Sequence, residues 1–236
     1  MDLSMQAAVL AGGLGTRLGN LTKNLPKPMI PINGKPFLEY KIQELRKGGV
    51  DEIVLCVGYL ADKIVNHFGD GSRYGVKISY SYDGERLKGV IGALRNASKL
   101  LNDEFIMTYA DNYLRLNYAE LMSKLLESEK LAVMAVYHNY NRYGKSDVKV
   151  KDNQVVYYSK HTGKEEGLEW INYGAIALRK EALEFAADDS EEGFFAELIA
   201  RKEILAYEVK ERFYEIGTPE GLKEFQEMFL AHGLEA

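Results

Sequence analysis

Cysteine is almost missing from this sequence. Cys56 is its single representative in 236 residues, so no intrachain disulfide can form and no thiolate cluster can hold a metal. It lies in the apolar run "EIVLCVG", where it reads as a buried strand residue without a catalytic role. Long apolar runs are missing too. None approaches the roughly 20 residues that a membrane span requires, and Asp2 does not suit the basic start of a leader peptide. These absences predict a cytoplasmic protein with no membrane partner. The chain also lacks a basic excess. Its formal net charge of -5 argues against nucleic acid as a partner, because polyanion binding needs a cationic face large enough to release counterions. His67, His138, His161 and His232 show no paired spacing, which disfavours a histidine metal site; of the four, only His161 stands near predicted chemistry. Fixed-period repeats and low-complexity tracts are absent, and the length suits one core rather than two.

What the chain does contain is alternation. Short apolar runs separate amphipathic stretches through the first half, the pattern of strand, helix and parallel strand in an α/β sheet. "QAAVLA", "EIVLCVG", "VKISYSY" and "EFIMTY" read as strands, and "FLEYKIQELRKGG", "ADKIVNHF" and "IGALRNASKLL" as helices. The first helix places Phe37, Leu38, Ile42 and Leu45 on one face and stops at a glycine pair. After "EFIMTY" the chain turns polar at Ala110 to Asn112. Asp111 is therefore expected just beyond a strand's carboxyl end, the edge where open α/β sheets bind ligands. In the second half "LAVMAVYHN", "DVKVK", "QVVYYSK" and "WINYGAIAL" are strand-like, and "KDNQ" suits a hairpin turn, which predicts a mixed sheet beside a cleft. Pro219 suits the first position of a last helix. Tyr80, Tyr82, Tyr157 and Tyr158 read as half-buried sheet residues with wet hydroxyls and no chemical role.

Gly12, Gly13 and Gly15 follow the first strand directly, so a phosphate or a flat base could approach main-chain N–H groups that a Cβ would shield. The loop is not a P-loop, since it ends Gly-Thr-Arg rather than Gly-Lys-Ser/Thr, and Gly13, Gly15 and Gly19 lack the dinucleotide-fold spacing. "LAGGLGTRL" followed by "PKPMIPINGKPFLEY" resembles the opening of the sugar-1-phosphate nucleotidyltransferases, the nucleotide-sugar pyrophosphorylases. "GALRNA", "YADNY", "YYSKH", "INYGAIAL" and "FYEIGTPEGL" extend the resemblance, in the family's order, over nearly the whole chain. Within the family the opening is most similar to the heptose 1-phosphate guanylyltransferases and to related uridylyl- and thymidylyltransferases.

The resemblance implies a single-domain, Rossmann-like three-layer α/β sandwich with a mixed, mostly parallel central sheet. Residues about 1–115 would form a nucleotide-binding half and about 116–236 a sugar-phosphate-binding half. It implies a reaction in which a sugar 1-phosphate oxygen attacks the α-phosphorus of a nucleoside triphosphate and releases pyrophosphate. Such transfer asks the protein mainly to align two polyanions and neutralise charge. By similarity, Arg17 grips the departing triphosphate tail and Lys27 reaches the α-phosphate. Pro26 and Pro28 restrict the backbone around that lysine. Leu10, Ala11, Gly12, Gly13, Gly15 and Thr16 join Arg17 and Lys27 at the nucleotide. Lys88, Gly89 and Gly92 align in more than one way with the family's base-contacting loop, and Gly89 or Gly92 reads equally as a helix-start glycine.

Asp111 resembles the family's magnesium-binding aspartate. Magnesium needs only one or two carboxylates beside phosphate oxygens and water, so the absence of a dense acidic cluster is no objection. Glu215 stands where many relatives carry the second metal aspartate, and one extra methylene changes its reach. Lys160 matches the lysine that meets the sugar phosphate, with Ser159 where a glutamate is usual. Asn172 and Gly174 would reach the sugar pocket, and the ring of Tyr173 would narrow it unless strand alternation turns it away. The expected partners are a nucleoside triphosphate and a sugar 1-phosphate, with Mg2+ as cofactor and self-association into a homo-oligomer left open. Two other readings are a cytidylyltransferase for phosphocholine or inositol phosphate and a non-catalytic, nucleotide-sugar-binding regulatory subunit. Retention of Arg17, Lys27 and Asp111 weighs against the second.

Overall fold

The computed structural model describes residues 4–84, 88–160 and 167–232; His161 and the segment before Lys88 in the expected base-contacting loop lie outside them. The first half runs β1 (Met5–Leu10), β2 (Pro31–Ile32), β3 (Lys35–Pro36), α1 (Phe37–Lys47), β4 (Val50–Val57), α2 (Ala61–Phe68), β5 (Lys77–Tyr82), α3 (Val90–Ala97), β6 (Glu104–Tyr109) and β7 (Asn112–Tyr113). The second runs α4 (Tyr118–Glu127), β8 (Ala132–His138), β9 (Val148–Lys151), β10 (Gln154–Tyr158), β11 (Trp170–Arg179), α5 (Glu191–Ala200), β12 (Ile204–Val209), β13 (Tyr214–Glu215) and α6 (Pro219–His232).

Nine strands form one sheet in the order β5-β4-β1-β6-β11-β8-β12-β10-β9. Helices cover both faces, so the central strands are apolar on both sides. Ala7 and Val9 of β1 enter the core on one face, with Leu38, Ile42 and Leu45 of α1. Ala8 enters the core on the other, with Ile91, Leu94 and Ala97 of α3. The period-two alternation of a strand thus feeds two cores at once.

The expectation of a mostly parallel sheet is corrected. β4–β5, β1–β4, β1–β6 and β8–β12 are parallel, whereas β6–β11, β8–β11, β9–β10 and β10–β12 are antiparallel. The sheet is mixed. The reason lies in the connections. Parallel neighbours need a crossover of a dozen or so residues, which the helices of the first half supply. β9 and β10 are instead joined by Asp152 and Asn153, both with positive φ (50° and 59°), the conformation of a tight type I′ hairpin.

The first half also fixes where a ligand can sit. From β1 the chain steps outward to β4 and β5, then returns to place β6 on the other side of β1. That reversal makes a crevice beyond the carboxyl ends of β1 and β6. The glycine loop leaves from one strand and Asp111 from the other.

Candidate active site

The glycine loop opens the crevice for several reasons. The N–H of Ala11 donates to Cys56 O at 2.8 Å, extending the sheet by one residue. A Cβ on Gly12 would lie 2.7 Å from Asp83 Oδ2, whereas one on Gly13 would meet nothing within 4 Å. Only Gly13 therefore faces open space that a ligand can fill. Gly15 serves the loop itself: its φ is +65°, and a Cβ would press on Thr22 Cγ2 at 2.9 Å and Lys27 Cβ at 3.1 Å. The Thr22 hydroxyl closes the turn by donating to Gly15 O at 3.0 Å. Thr16 and Arg17 begin the 3-10 turn Thr16–Thr22. Lys27 heads a second such turn, Lys27–Met29, behind Pro26 in extended conformation.

Lys27 Nζ forms an ion pair with Asp111 Oδ2. Beyond Asp111 the chain enters β7, which pairs with β13 so that Asn112 faces Glu215. The N–H of Ile216 donates to Asp111 O at 2.9 Å. This short ladder carries the carboxylate of Glu215 to that of Asp111 from more than a hundred positions away. Solvent reaches Glu215 from the cavity while protein surrounds it elsewhere. Burial, and then the charge of Asp111, push its pKa up, opposed by Arg17, Lys27 and Lys160. Gly217 completes the arrangement, since a Cβ there would lie 3.3 Å from Arg17 Nη2 and 3.7 Å from Asp111 Oδ2.

Two cavities flank Asp111. The first, of about 220 Å3, is walled by Leu10, Ala11, Gly12, Gly13, Lys27 and Gly89 among others. The second, of about 630 Å3, is walled by Arg17, Asp147, Lys160, Asn172, Gly174 and Glu215 among others. Tyr109 and Asp111 belong to both. Arg17 thus stands with the second cavity, because the left-handed Gly15 turns the chain away from the first.

The second cavity is organised by Glu191, the first residue of α5, which is only 9% exposed. It accepts hydrogen bonds from the hydroxyls of Tyr109 (2.5 Å) and Tyr158 (2.8 Å), from Lys160 Nζ (2.8 Å) and from Asn172 Nδ2 (3.4 Å). Asn172 in turn receives Gly174 N–H on Oδ1 at 2.9 Å and donates its own N–H to Asp147 Oδ1 at 2.9 Å. Burial pushes the Asp147 carboxyl up to about 7, against the Asn172 N–H and the charge of Lys160. Gly174 has φ +95° where the β11–β8 register breaks, and a Cβ there would overlap the Asn112 amide. It is a bulge residue that lets the strand bend around the cavity.

Several sequence expectations change at this point. Tyr173 belongs to the wall of the second cavity but does not project into it: its ring is buried against Phe213 and its hydroxyl accepts the N–H of Arg115 at 3.1 Å. Tyr158 is not wet-tipped, since its buried hydroxyl serves Glu191. Gly92 does not meet the nucleotide cavity. It lies inside α3, where a Cβ would press on the Asp189 carboxyl at 2.7 Å. Gly89 both lines the first cavity and precedes α3 under the Asp189 carbonyl. Sequence reasoning missed Tyr109, Glu191, Asp147, Asp83 and Gly217. Tyr109 and Gly217 sat inside quoted motifs, whereas nothing local ties Glu191 to Lys160.

The donor set fits a hard divalent cation. Among the described residues no group of three or more His, Cys, Asp or Glu gathers to bind a metal. The Asp111–Glu215 pair nevertheless offers carboxylate oxygens to one cavity wall, and the mutual repulsion recorded in Glu215 is what a cation would relieve. No helix among the described residues is long and apolar enough to cross a membrane.

Comparison with known proteins places the chain in a family. The family model described as nucleotidyl transferase matches residues 6–228. The chain is 35% identical over 224 residues to the D-glycero-alpha-D-manno-heptose 1-phosphate guanylyltransferase of Campylobacter jejuni, covering 94% of this chain and 98% of that one. It is 29% identical over 230 residues to the enzyme of the same name from Aneurinibacillus thermoaerophilus, covering 94% and 97%. The crystal structure of HddC from Yersinia pseudotuberculosis, solved also in complex with GMP-PN, superposes with a TM-score of 0.77 at 30% identity over 95% of this chain and 99% of that one.

Proposed function

This chain belongs to the nucleotidyl transferase family, and we infer that it moves a nucleoside monophosphate from a nucleoside triphosphate to a sugar 1-phosphate, forming a nucleotide sugar and pyrophosphate. The observation that carries this reading is the meeting of two cavities at one carboxylate, Asp111, with the Lys27 ammonium resting on it. The donor base and ribose occupy the smaller cavity, and the acceptor sugar the larger. The reacting phosphates then come together at the shared wall. Residues about 1–115 form the donor half and about 116–236 the acceptor half, with Arg17 reaching across to the larger cavity and Glu215 brought to Asp111 by the β7–β13 ladder.

Each cation has a task. Gly13 leaves main-chain N–H groups open to the triphosphate. Lys27, tethered behind Pro26, neutralises the α-phosphate as charge builds on it. Arg17, across Gly217 from Asp111, holds the pyrophosphate that leaves. Lys160 is oriented by Glu191 and meets the phosphate of the acceptor, whose oxygen attacks in line. Asp111 and Glu215 would hold a divalent ion, magnesium by its oxygen donors, which when bound supplies charge neutralisation at the phosphate oxygens.

Both end-to-end relatives act on heptose 1-phosphate according to their names, so that acceptor leads the list to be tried. The test pairs GTP, UTP, dTTP, CTP and ATP with heptose, mannose and glucose 1-phosphates and with phosphocholine, scoring pyrophosphate release with magnesium present. Turnover confined to one sugar 1-phosphate is expected. Turnover confined to phosphocholine, or none with any pair, refutes the reading.

A further inference from the structure

Tyr109 walls both cavities, as Asp111 does, yet the mechanism above gives it no task. It ends β6, where its register partner is Leu10 at the end of β1, so it stands in the crevice between the two strand ends. Two contacts fix its ring. The hydroxyl donates to Glu191 Oε1 at 2.5 Å, and the ring edge abuts Gly174, where a Cβ would lie 3.7 Å from Tyr109 Cδ2. Burial, and then the charge of Glu191, push the Tyr109 hydroxyl well above its ordinary pKa, so at neutral pH it remains a donor. Over this ring lies Lys160, its Nζ 5.0 Å from the centroid.

Lys160 needs such a second hold. A lysine carries its charge on a flexible four-carbon stem, and this one spends one of its three N–H groups on Glu191 Oε2 at 2.8 Å. The Lys160 side chain is 39% exposed, and an ion pair in contact with water constrains its partners little. By itself the pair leaves the ammonium free to swing about the carboxylate. The ring attracts the cation through its π face and consumes no N–H. A second carboxylate in the same place would neutralise the ammonium and repel an entering phosphate, and an aliphatic side chain would supply shape without attraction. An aromatic face is thus the surface that holds a phosphate-binding lysine without competing with the phosphate. Hydroxyl and ammonium end on the two oxygens of one carboxylate, so Glu191 keeps the ring aligned beneath the cation.

We propose that Tyr109 is a positioning residue for the acceptor: its ring face, aligned by Glu191, fixes the Lys160 ammonium beside the wall that the two cavities share, where it meets the acceptor phosphate. The proposal rests on the nucleotidyl-transfer reading and deepens it by adding a residue that acts through Lys160.

The test measures KM for each substrate on the full chain, with magnesium and the triphosphate and sugar 1-phosphate that turn over in the panel above, for Tyr109→Leu and Tyr109→Phe, each alone and combined with Lys160→Met. Loss of a cation–π contact corresponds to about 2- to 30-fold, so Tyr109→Leu should raise KM for the sugar 1-phosphate by about that factor. KM for the triphosphate should stay within about threefold, because leucine keeps that wall apolar. Tyr109→Phe keeps the ring and leaves Glu191 three donors, so its KM for the sugar 1-phosphate should lie within about threefold of the unaltered value. On Lys160→Met, Tyr109→Leu should add nothing, as for two residues acting through one contact. An unchanged acceptor KM in Tyr109→Leu overturns the proposal, as does a full penalty that persists on Lys160→Met, or a Tyr109→Phe as impaired as Tyr109→Leu. Proton NMR with isotope-labelled lysine reads the contact in the unaltered protein, whatever the variants do to folding. Methylene protons beside an ammonium above a ring face move upfield, and the Lys160 signal, assigned by its absence from Lys160→Met, should stand apart in that direction; a signal among those of exposed lysines overturns the proposal. The two readings fail separately: an upfield Lys160 signal without turnover on any pair removes the enzyme and leaves the contact, whereas turnover with that signal unshifted removes the role of Tyr109 and leaves the enzyme.

Discussion

Replacing Lys41 with methionine should cost this protein a large share of its stability, although the residue touches no cavity. Lys41 lies on α1 with its side chain fully buried, and its Nζ meets Glu44 Oε1 at 3.0 Å and Tyr118 Oη at 3.1 Å. Tyr118 also donates to Glu44 Oε1, and Glu44 Oε2 accepts the N–H of Leu114 at 2.8 Å. Burial drives the ammonium down and the carboxyl up, each opposed by the other's charge. Methionine keeps the length and removes the charge, so Glu44 becomes a buried carboxylate without a counter-ion. Breaking such a pair costs about 3–5 kcal/mol, and about 2–4 °C of melting temperature per kcal/mol is typical at this size, giving a drop of about 6–20 °C. The loss should also depend on pH. A carboxyl whose folded pKa is raised contributes stability below its unfolded value, 4.5, and loses it as pH climbs through the folded value. The deficit of Lys41→Met should therefore shrink at pH 5 and widen at pH 8. Urea unfolding of Lys41→Met, Glu44→Leu and the double variant measures the coupling. The double variant should cost clearly less than the sum of the singles, the residue being mostly the orphaned Leu114 N–H at about 1–3 kcal/mol. Strict additivity, or a melting shift under about 3 °C for Lys41→Met, would refute the reasoning.

Three further outcomes follow from the site. Asp111→Asn should leave the melting temperature within a few degrees while lowering kcat by about two orders of magnitude or more, and an unchanged rate of pyrophosphate release would remove Asp111 from the metal. Gly174→Ala combines a positive φ, about 1–2 kcal/mol for a residue with a Cβ, with overlap on the Asn112 amide, about 1–3 kcal/mol. Its expected cost by denaturant titration is thus about 2–5 kcal/mol, with KM for the acceptor raised and KM for the triphosphate little changed. The Asp147 carboxyl, lifted to about 7 by burial, stabilises the fold fully below its unfolded value near 3.8 and loses that contribution as pH passes about 7. Asp147→Asn should be the more stable protein at pH 8 by up to about 4 kcal/mol, with its advantage fading toward pH 4. Melting curves across that range, flat for the difference, would count against the assignment.

Motifs whose members lie close together in the chain were legible without coordinates. The strand before Gly12, the prolines around Lys27 and the polar break at Asp111 each carry their local geometry in adjacent residues, and the structure sets them around one crevice. The hairpin at Asp152 was readable for the same reason. Pairings between distant segments were not. β11 enters the sheet antiparallel between β6 and β8, and no local signal tells a buried strand which neighbour it will have or in which direction. Glu191 reads as an ordinary acidic residue after a serine cap, and its four hydrogen bonds exist only once α5 docks beside β10. Lys41 looks like a solvated helix cation until Tyr118 and Glu44 enclose it. Gly92 misled in the opposite sense, since packing against Asp189 and contact with a nucleotide both call for a missing Cβ.

The strand register between β6 and β11 runs unbroken through five residues, from Thr108 paired with Ala175 to Glu104 paired with Arg179, and it stitches the first half of the chain to the second as one floor. Such a floor has no hinge. Capture of two substrates must then come from segments above its rim rather than from halves swinging shut, and the solution scattering radius of the protein should barely change when both cavities fill.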